Sequence, residues 1–217
     1  MKQIIDTAFA LFFLITLMPF MLFFALMIKL TSRGRVFYTQ TRLGKYRKPF
    51  TILKFRTMKK EAAFDVDAPV IGDKDANVTW FGKILRRTKM DELPQLINIL
   101  KGDMSFIGPR PFVADYLPRY EKWEMVKFDV KPGLTGWAQV HGNGYLPLKS
   151  RSYYDIEYVK RISLIMDIRI IVKSLLVIVF GEKRFVKPVT PRQINVYKYW
   201  TYGLLPSGDR IPLTVRR

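Results

Sequence analysis

The longest run of apolar positions lies close to the amino terminus. Residues Thr7–Ile28 carry no charge and are rich in Phe, Leu and Met. As a helix this run would be about 33 Å long, enough to cross the hydrocarbon core of a bilayer. Pro19 lies near its middle, where a proline removes a main-chain hydrogen bond and kinks a helix. The pattern predicts either a kinked span or a helix that enters the membrane, breaks at Pro19 and leaves by the same face.

A change to β-forming residues follows this run. Val36–Thr41 and Phe50–Met58 are separated by a short basic segment that contains Gly44 and Pro49, which predicts a hairpin. Lys54 and Arg56 are two positions apart, so they share one face of the second strand. That face is either solvated or directed at a bound anion.

Two later segments have the spacing of amphipathic helices. After Asn77, a candidate cap, one apolar face holds Trp80, Phe81, Ile84 and Leu85, and the helix leads to Arg86. Residues Ser163–Phe180 are also apolar at helical spacing but are interrupted by charges at Asp167, Arg169 and Lys173. Because charges at membrane depth are costly, the second segment is predicted to lie at the membrane interface.

Between these helices, two adjacent acids precede a short amphipathic run. Asp91 and Glu92 stand ahead of apolar residues with helical spacing, namely Leu93, Leu96, Ile97 and Leu100. Asp91 is predicted to be an N-cap, with Pro94 tolerated in the first helical turn. The helix dipole and the neighbouring Arg86 and Arg87 are both expected to favour an ionised, nucleophilic carboxylate and a docked phosphate.

Composition limits the chemistry. The chain has 217 residues, no cysteine and one histidine, His141. A thiolate metal site and a histidine metal cluster are therefore excluded. The net charge of +19 predicts an anionic partner, either nucleic acid, an anionic membrane surface or a phosphorylated substrate. The basic residues that follow Thr7–Ile28 place the downstream domain in the cytoplasm.

Several ordered motifs together resemble one known family. They are Lys54–Met58, Asp91–Leu96, Lys101–Ser105, Gly108–Pro111 and Lys131–Val140. This combination, over roughly residues 1–180, is similar to the bacterial sugar transferases, the monotopic phosphoglycosyl transferases that prime glycan assembly on polyprenyl phosphate. The resemblance favours the re-entrant form of the first helix, broken at Pro19.

The resemblance also implies a reaction and a site. A nucleotide diphosphate sugar, usually a UDP-sugar, would give its sugar-1-phosphate to Asp91 with release of the nucleoside monophosphate, and polyprenyl phosphate would then attack the covalent intermediate. Glu92 matches the partner acid that holds Mg²⁺ together with Asp91. Arg86 matches a residue lining the diphosphate. Arg110, Lys54 and Arg56 are further candidates for phosphate binding.

The expected fold is α+β. It comprises a re-entrant membrane helix at residues 1–30, a catalytic domain at 31–180 with a small hairpin and amphipathic interfacial helices, and an extended basic tail at 181–217. The expected location is the cytoplasmic face of the bacterial inner membrane, with anionic inner-leaflet lipids as partners and no nucleic acid.

Residues after Val140 depart from the family pattern. The family commonly has Asn-Gly-Arg-Asn and then a tryptophan, and this chain has His141, Gly142, Asn143 and Gly144, with Leu148 in place of the tryptophan. The missing arginine is a substrate contact in the family. Two alternatives to the transferase remain at this point: a non-catalytic basic membrane protein that binds anionic lipid or nucleic acid, and an enzyme that transfers the sugar alone.

Overall fold

The computed structural model describes residues 2–59 and 77–202. In this part of the chain six α-helices and two small sheets are joined by short 3₁₀ segments. The helices are α1 Lys2–Thr31, α2 Trp80–Thr88, α3 Gln95–Leu100, α4 Leu148–Lys160, α5 Leu164–Phe180 and α6 Pro191–Tyr202. The strands are β1 Phe37–Leu43, β2 Pro49–Phe55, β3 Ser105–Ile107 and β4 Gly133–Thr135. The mixed helix and sheet content and the apolar first helix confirm the coarse prediction.

The predicted hairpin is confirmed. Strands β1 and β2 pair antiparallel from Phe37 opposite Phe55 to Leu43 opposite Pro49. The basic turn between them includes Tyr46 and Arg47, both with positive φ. The register places Lys54 opposite Tyr38, one residue before the end of β2.

A buried asparagine fastens α3 to the hairpin. The Asn98 side chain is 1% exposed. Its Oδ1 accepts a hydrogen bond from Leu53 N at 3.0 Å, and its Nδ2 donates to Thr51 O at 2.7 Å. These bonds satisfy the outward-facing backbone of β2, which as an edge strand would otherwise present unpaired polar groups. They also fix the residues before α3 next to Lys54.

Two glycines bring β3 and β4 together. The strands are parallel, with Ser105 opposite Gly133. A Cβ added to Gly133 would lie 2.1 Å from the backbone nitrogen of Gly108, closer than any real contact. Gly108 N donates to Thr135 O at 3.0 Å, and Gly133 N donates to Pro109 O at 2.8 Å. The two sequence motifs that contain these glycines are thus one interlocked unit, which fixes the Pro-Arg-Pro turn.

Helix α1 packs on the rest of the protein through both of its halves. Ala10 is fully buried with Leu96 and Ile99 of α3. Phe24 and Ile28 are buried in a second cluster whose other members are Phe55, Phe81 and Leu85. Within the described residues, α1 is the one helix long and apolar enough to cross a membrane, and only 17% of its most apolar window is buried.

Helix α5 buries one face and exposes the other. Met166, Ile170 and Val177 belong to a core cluster with Ile107, Val140 and Tyr158. The opposite face exposes large apolar residues, among them Leu164, Ile165, Ile168, Val172, Leu175 and Val179. The predicted amphipathic helix is therefore present, and Ser163 caps its start by accepting a hydrogen bond from Met166 N.

Three local predictions differ from the structure. Thr79, and not Asn77, caps α2, because its hydroxyl accepts from Gly82 N. Helix α1 is continuous from Lys2 to Thr31, so Pro19, which lacks an N–H, does not divide it into two helices, and any change of direction there is a bend within one helix. The tail expected to be extended from residue 181 contains a 3₁₀ segment at Glu182–Phe185 and helix α6, while residues 203–217 lie outside the described part of the chain.

Candidate active site

The paired acids lie on a tight turn between two helices. Helix α2 ends at Thr88 and is followed by Lys89, whose left-handed conformation (φ 60°, ψ 14°) reverses the chain. A 3₁₀ turn, Met90–Glu92, follows and is closed by a hydrogen bond from Glu92 N to Lys89 O at 3.2 Å. Because α3 begins only at Gln95, the prediction that Asp91 caps a helix is wrong. The turn leaves both carboxylates close together.

Glu92 is the centre of a cluster of opposite charges. Lys54 Nζ donates a hydrogen bond to Glu92 Oε1. Arg110 Nη2 lies 3.7 Å from the same oxygen. The Glu92 and Lys54 side chains are only 13% and 16% exposed, whereas Arg110 is 35% exposed. The hairpin, the acidic turn and the Pro-Arg-Pro turn therefore meet at one carboxylate, in an open cleft that Gln95 and Gln139 also line.

The surroundings shift the pKa values of the two carboxylates in opposite directions. Burial raises the pKa of Glu92, but Lys54 and Arg110 outweigh burial and hold that pKa at about 2. Burial, followed by repulsion from Glu92, raises the pKa of Asp91 to about 6, against the opposing influence of Lys54, Lys89 and Arg86. One acid is thus a firmly ionised anchor for cations. The other is a partly buried carboxylate destabilised in its charged form.

The pKa of Asp91 corrects the argument from the helix dipole. That argument predicted that dipole and arginines would favour the ionised form. In the structure the acids lie on a 3₁₀ turn that precedes a six-residue helix, and burial is the largest influence on Asp91. With a pKa of about 6, Asp91 is still mostly ionised at neutral pH.

The other candidate cations separate into two groups. Arg86 is close enough to Asp91 to lower its pKa, and its Nε donates to Thr57 Oγ1 at 2.8 Å. Arg56 instead binds the end of α1, where its terminal nitrogens donate to Ser32 O and Arg33 O, each at 2.9 Å. The structure brings Lys54, Arg86 and Arg110 to the acids, and it places Arg56 as an anchor for α1.

A buried charged group supports the Arg110 turn. Lys127 is 2% exposed, and its Nζ lies 3.2 Å from the ring centre of Tyr120 and 3.8 Å from that of Phe112. Burial lowers the pKa of Lys127 to about 7, and burial raises the pKa of the neighbouring Asp155 to about 7. Phe112 follows Pro111 directly, so Lys127 and the two aromatic rings support the turn that carries Arg110. No sequence pattern indicated it.

The donor set is compatible with Mg²⁺. Magnesium binds one or two carboxylates and completes its shell with water and substrate phosphates. Within residues 2–59 and 77–202 no cluster of three or more Asp, Glu, His or Cys side chains is present. Asp91 and Glu92 supply the two carboxylates, and the mutual repulsion that raises the pKa of Asp91 is what a bound cation would relieve.

The segment His141–Gly144, which departs from the family pattern, is held by hydrogen bonds to Trp137, Lys173 and Glu182. His141 is buried, with Nδ1–H donating to Trp137 O at 2.7 Å and Nε2 accepting from Lys173 Nζ at 3.0 Å. Burial lowers the pKa of His141 to about 4, so it is a neutral structural group. Asn143 has a positive φ of 45° and donates to Glu182 Oε1 at 3.1 Å. Leu148 begins α4.

Sequence reasoning missed Asn98, Lys127, Asp155 and Glu182. Each is a polar residue whose role depends on a partner distant in sequence, such as Lys89 for Glu182 at 2.6 Å. The sequence offered only a weak signal for Asn98, which is one of two polar residues, with Gln95, in the apolar run before Leu100. In the structure both side chains are 1% exposed.

The comparisons with known proteins agree with these observations. A profile of the bacterial sugar transferase family matches residues 1–181. The chain is 36% identical over 182 residues to an uncharacterized sugar transferase, EpsL, of Bacillus subtilis, covering 84% of this chain and 89% of that protein. It is 42% identical over 190 residues to the UDP-glucose:undecaprenyl-phosphate glucose-1-phosphate transferase of Xanthomonas campestris, covering 84% of this chain and 39% of the relative.

A third relative is the UDP-N-acetylgalactosamine-undecaprenyl-phosphate N-acetylgalactosaminephosphotransferase of Aeromonas hydrophila. It is 39% identical over 170 residues, which cover 75% of this chain and 40% of the relative. This chain thus spans about two fifths of the length of the two larger relatives and most of the length of the Bacillus protein.

The opposite pKa shifts predict opposite effects on stability in chelator-treated buffer. Asp91→Asn should raise the free energy of unfolding at pH 7 by up to about 3 kcal/mol, because it removes a partly buried carboxylate whose pKa is about 6 when folded and about 3.9 when unfolded. The gain in stability of Asp91→Asn over the wild type should vanish as the pH falls from 6 to 4, because Asp91 in the wild-type protein becomes protonated over this range. Glu92→Gln should lower stability by about 3 kcal/mol at pH 7, because Lys54 and Arg110 lose their counter-charge.

The stabilising contribution of Glu92 should disappear as the pH falls from about 4.5 towards 2, since its pKa is lowered on folding. Both variants can be followed by thermal or denaturant unfolding across this pH range. Equal destabilisation by the two variants would contradict the electrostatic division between the acids.

Proposed function

The chain belongs to the bacterial sugar transferase family, and from that premise we propose that it transfers sugar-1-phosphate from a UDP-sugar to undecaprenyl phosphate. Relatives named for this reaction use glucose and N-acetylgalactosamine donors. The product would be the polyprenyl-diphospho-sugar that begins the assembly of a glycan. The observation that carries the proposal is the pair of adjacent acids. Glu92 contacts Lys54 and Arg110 in the cleft, and Asp91 lies within electrostatic reach of Arg86.

The first step is attack by an Asp91 carboxylate oxygen on the phosphorus that bears the sugar. The bond from that phosphorus to the bridging oxygen breaks, UMP leaves with the bonding electrons, and an aspartyl-phosphosugar remains. A covalent carboxylate intermediate divides one difficult phosphoryl transfer into two easier steps. The pKa of about 6 suits this role, since the group is ionised at neutral pH while burial leaves it poorly stabilised as an anion.

The second step is attack by a phosphate oxygen of undecaprenyl phosphate on the same phosphorus. The phosphorus–aspartate bond breaks, and Asp91 is regenerated as a carboxylate. Lys54 and Arg110 remain held by Glu92 throughout, so their charges are already in position when negative charge moves from the leaving group to Asp91. Groups positioned in advance in this way stabilise a transition state without reorganising.

Mg²⁺ would be held by Asp91 and Glu92 together with phosphate oxygens of the donor. When bound, it would neutralise phosphate charge and stabilise the developing charge on the leaving group. The protein residues bind and orient the donor: Arg86, fixed through its Nε by Thr57, offers the remaining edge of its guanidinium to the phosphates.

The arrangement of α1 favours a re-entrant helix over a span. Lys2 pairs with Asp167 of α5, and the Asp6 carboxylate accepts from Ser105 Oγ at 2.7 Å. At the other end Arg56 binds Ser32 and Arg33. Both ends of α1 therefore contact the same domain.

The length of α1 that is free of such contacts is short. Leu14 packs on the cluster around Ala10, and Met21 packs on the cluster around Phe24. The intervening residues 15–20 would extend about 9 Å as a helix, whereas a bilayer core is about 30 Å thick. A span would require most of these contacts to separate.

An interfacial position on the inner membrane also fits the substrates. The outer sides of α1 and α5 expose large apolar residues, including Phe12, Phe20, Phe23, Ile165 and Val172. These faces would lie among lipid chains, with anionic headgroups attracted to the net charge of +19. The catalytic cleft could then take a soluble nucleotide sugar from the cytoplasm and an acceptor phosphate from the headgroup layer.

A trapped intermediate provides the direct test. Incubation of the purified protein with UDP-sugar alone should add one phosphosugar mass to the peptide that contains Asp91, measured by mass spectrometry. Asp91→Asn should abolish both the adduct and UMP release, whereas Glu92→Gln should retain residual activity with a weaker response to Mg²⁺. Turnover without any adduct on the wild-type peptide would contradict covalent catalysis. A lipid product with one phosphate in place of two would instead favour transfer of the sugar alone.

Arg86 and its neighbour Arg87 form a matched pair of variants. Arg86→Ala should reduce kcat/KM by about 100-fold or more, because a bidentate phosphate contact is lost, and Arg86→Lys should restore only part of it. Arg87→Ala removes an equal charge from the exposed side of α2 and should change activity by less than about two-fold. Similar losses in both alanine variants would show that net charge, rather than position, is what the donor requires.

The membrane arrangement can be tested by thiol labelling, because the chain contains no cysteine. Gln3→Cys places a reporter on the exposed side of α1 without disturbing Lys2, which binds Asp167. An impermeant maleimide should label this cysteine only after the cells are permeabilised. Labelling in intact cells would place the amino terminus outside and would rule out the re-entrant arrangement.

A further inference from the structure

Glu182 connects three segments beside the acidic turn. Its side chain is 14% exposed and comes from the 3₁₀ segment that follows α5. Oε1 accepts from Lys89 Nζ at 2.6 Å and from Asn143 Nδ2 at 3.1 Å. The acidic turn, the turn at Gly142–Asn143 and the carboxyl-terminal segment are thereby joined at a single oxygen. Glu182 lies one residue beyond the part of the chain that matches the family.

Lys89 is the residue through which this contact acts on the active site. Its left-handed backbone joins α2, which carries Arg86, to the turn that carries Asp91 and Glu92. Left-handed conformations are unfavourable for most residues other than glycine, asparagine and aspartate, and at a lysine they persist where surrounding contacts hold them. Lys89 O also accepts the hydrogen bond from Glu92 N that closes the turn. The ion pair therefore holds the residue on which the position of both acids depends.

The segment that carries Glu182 is itself firmly attached. Lys187 N donates to His141 O at 3.1 Å, and Tyr154 OH donates to Lys187 O at 2.9 Å. A Cβ added to Gly142 would lie 2.8 Å from Val186 Cα, so the glycine permits close contact with this segment. Because its base is anchored, Glu182 can restrain Lys89 and does not merely follow it.

We propose that Glu182 is a positioning residue for the sugar-phosphate transfer, acting through Lys89 and Asn143 to hold the Asp91–Glu92 turn in its reactive arrangement. The inference rests on the proposed function for its effect on turnover, but its effect on the turn is independent of that function. The carboxyl-terminal segment is thus part of the catalytic apparatus. The turn at Gly142–Asn143, which departs from the family pattern, is the point at which this segment joins it.

The test combines hydrogen exchange with kinetics in the full-length protein. Glu182→Gln removes the charge with little change in shape. Lys89→Asn removes the ammonium with a residue that tolerates the left-handed conformation. Both should increase amide exchange several-fold at Glu92 and Leu93, whose hydrogen bonds form the turn, and leave exchange in β1 and β2 unchanged. Each should reduce kcat for UMP release by about 10-fold with little change in KM, as expected for misplaced reacting groups.

The double variant and a control identify the route of the effect. If Glu182 acts through Lys89, Glu182→Gln should have no further effect in the Lys89→Asn background. Lys198→Met breaks the 2.7 Å ion pair between α6 and Glu121, which attaches the same carboxyl-terminal region elsewhere. It should leave exchange in the acidic turn and kcat unchanged.

Two outcomes would overturn the inference. The first is unchanged amide exchange in Glu182→Gln, and the second is a loss of kcat in the double variant that equals the product of the losses in the two single variants. If the wild-type protein released no UMP while Glu182→Gln still loosened the turn, the proposed function would fail and the structural role of Glu182 would stand. If the wild-type protein were active and Glu182→Gln changed neither exchange nor kcat, only the inference would fail.

Discussion

The carboxylate of Glu92 interacts with two cationic side chains, one from a segment that precedes it in the sequence and one from a segment that follows it. Lys54 is delivered by the hairpin, Arg110 by the turn between β3 and the following 3₁₀ segment, and Glu92 by the turn before α3. Each of these side chains would be costly to bury alone, because an unpaired charge loses its hydration. Together they satisfy one another, so the hairpin and the Pro-Arg-Pro turn are held on either side of the acidic turn.

In the described part of the chain, Lys54 and Arg110 make their close contacts with Glu92, and Asp91 is influenced by Lys54, Lys89 and Arg86. Lys54 and Arg110 stabilise the ionised form of Glu92. The negative charge of Glu92 in turn raises the pKa of the neighbouring Asp91 carboxylate. Adjacent residues with identical chemistry thus acquire different roles from their surroundings. The partly buried acid therefore has a raised pKa, and the acid beside it stays ionised.

The membrane helix and the catalytic domain are parts of one packed unit. Ala10 buries against α3 on one side of the active site, and Phe24 buries against α2 and β2 on the other. The helices that carry Arg86 and follow Glu92 are therefore seated directly on α1. This arrangement ties the position of the acids to α1, the helix that is long and apolar enough to cross a membrane. The carboxyl-terminal segment adds a second support through Glu182 and Lys89.

The sequence alone was sufficient to predict the apolar α1, the hairpin and the amphipathic α5, because each has a strong local periodicity. It was also sufficient for the family and for the grouping of Asp91, Glu92, Lys54, Arg86 and Arg110, because these residues lie in specific ordered motifs. The pKa of Asp91, the anchoring role of Arg56 and the contacts of Glu182 were decided only by the tertiary structure. Burial and partners distant in the chain determine them, and neither quantity is encoded in the spacing of neighbouring residues.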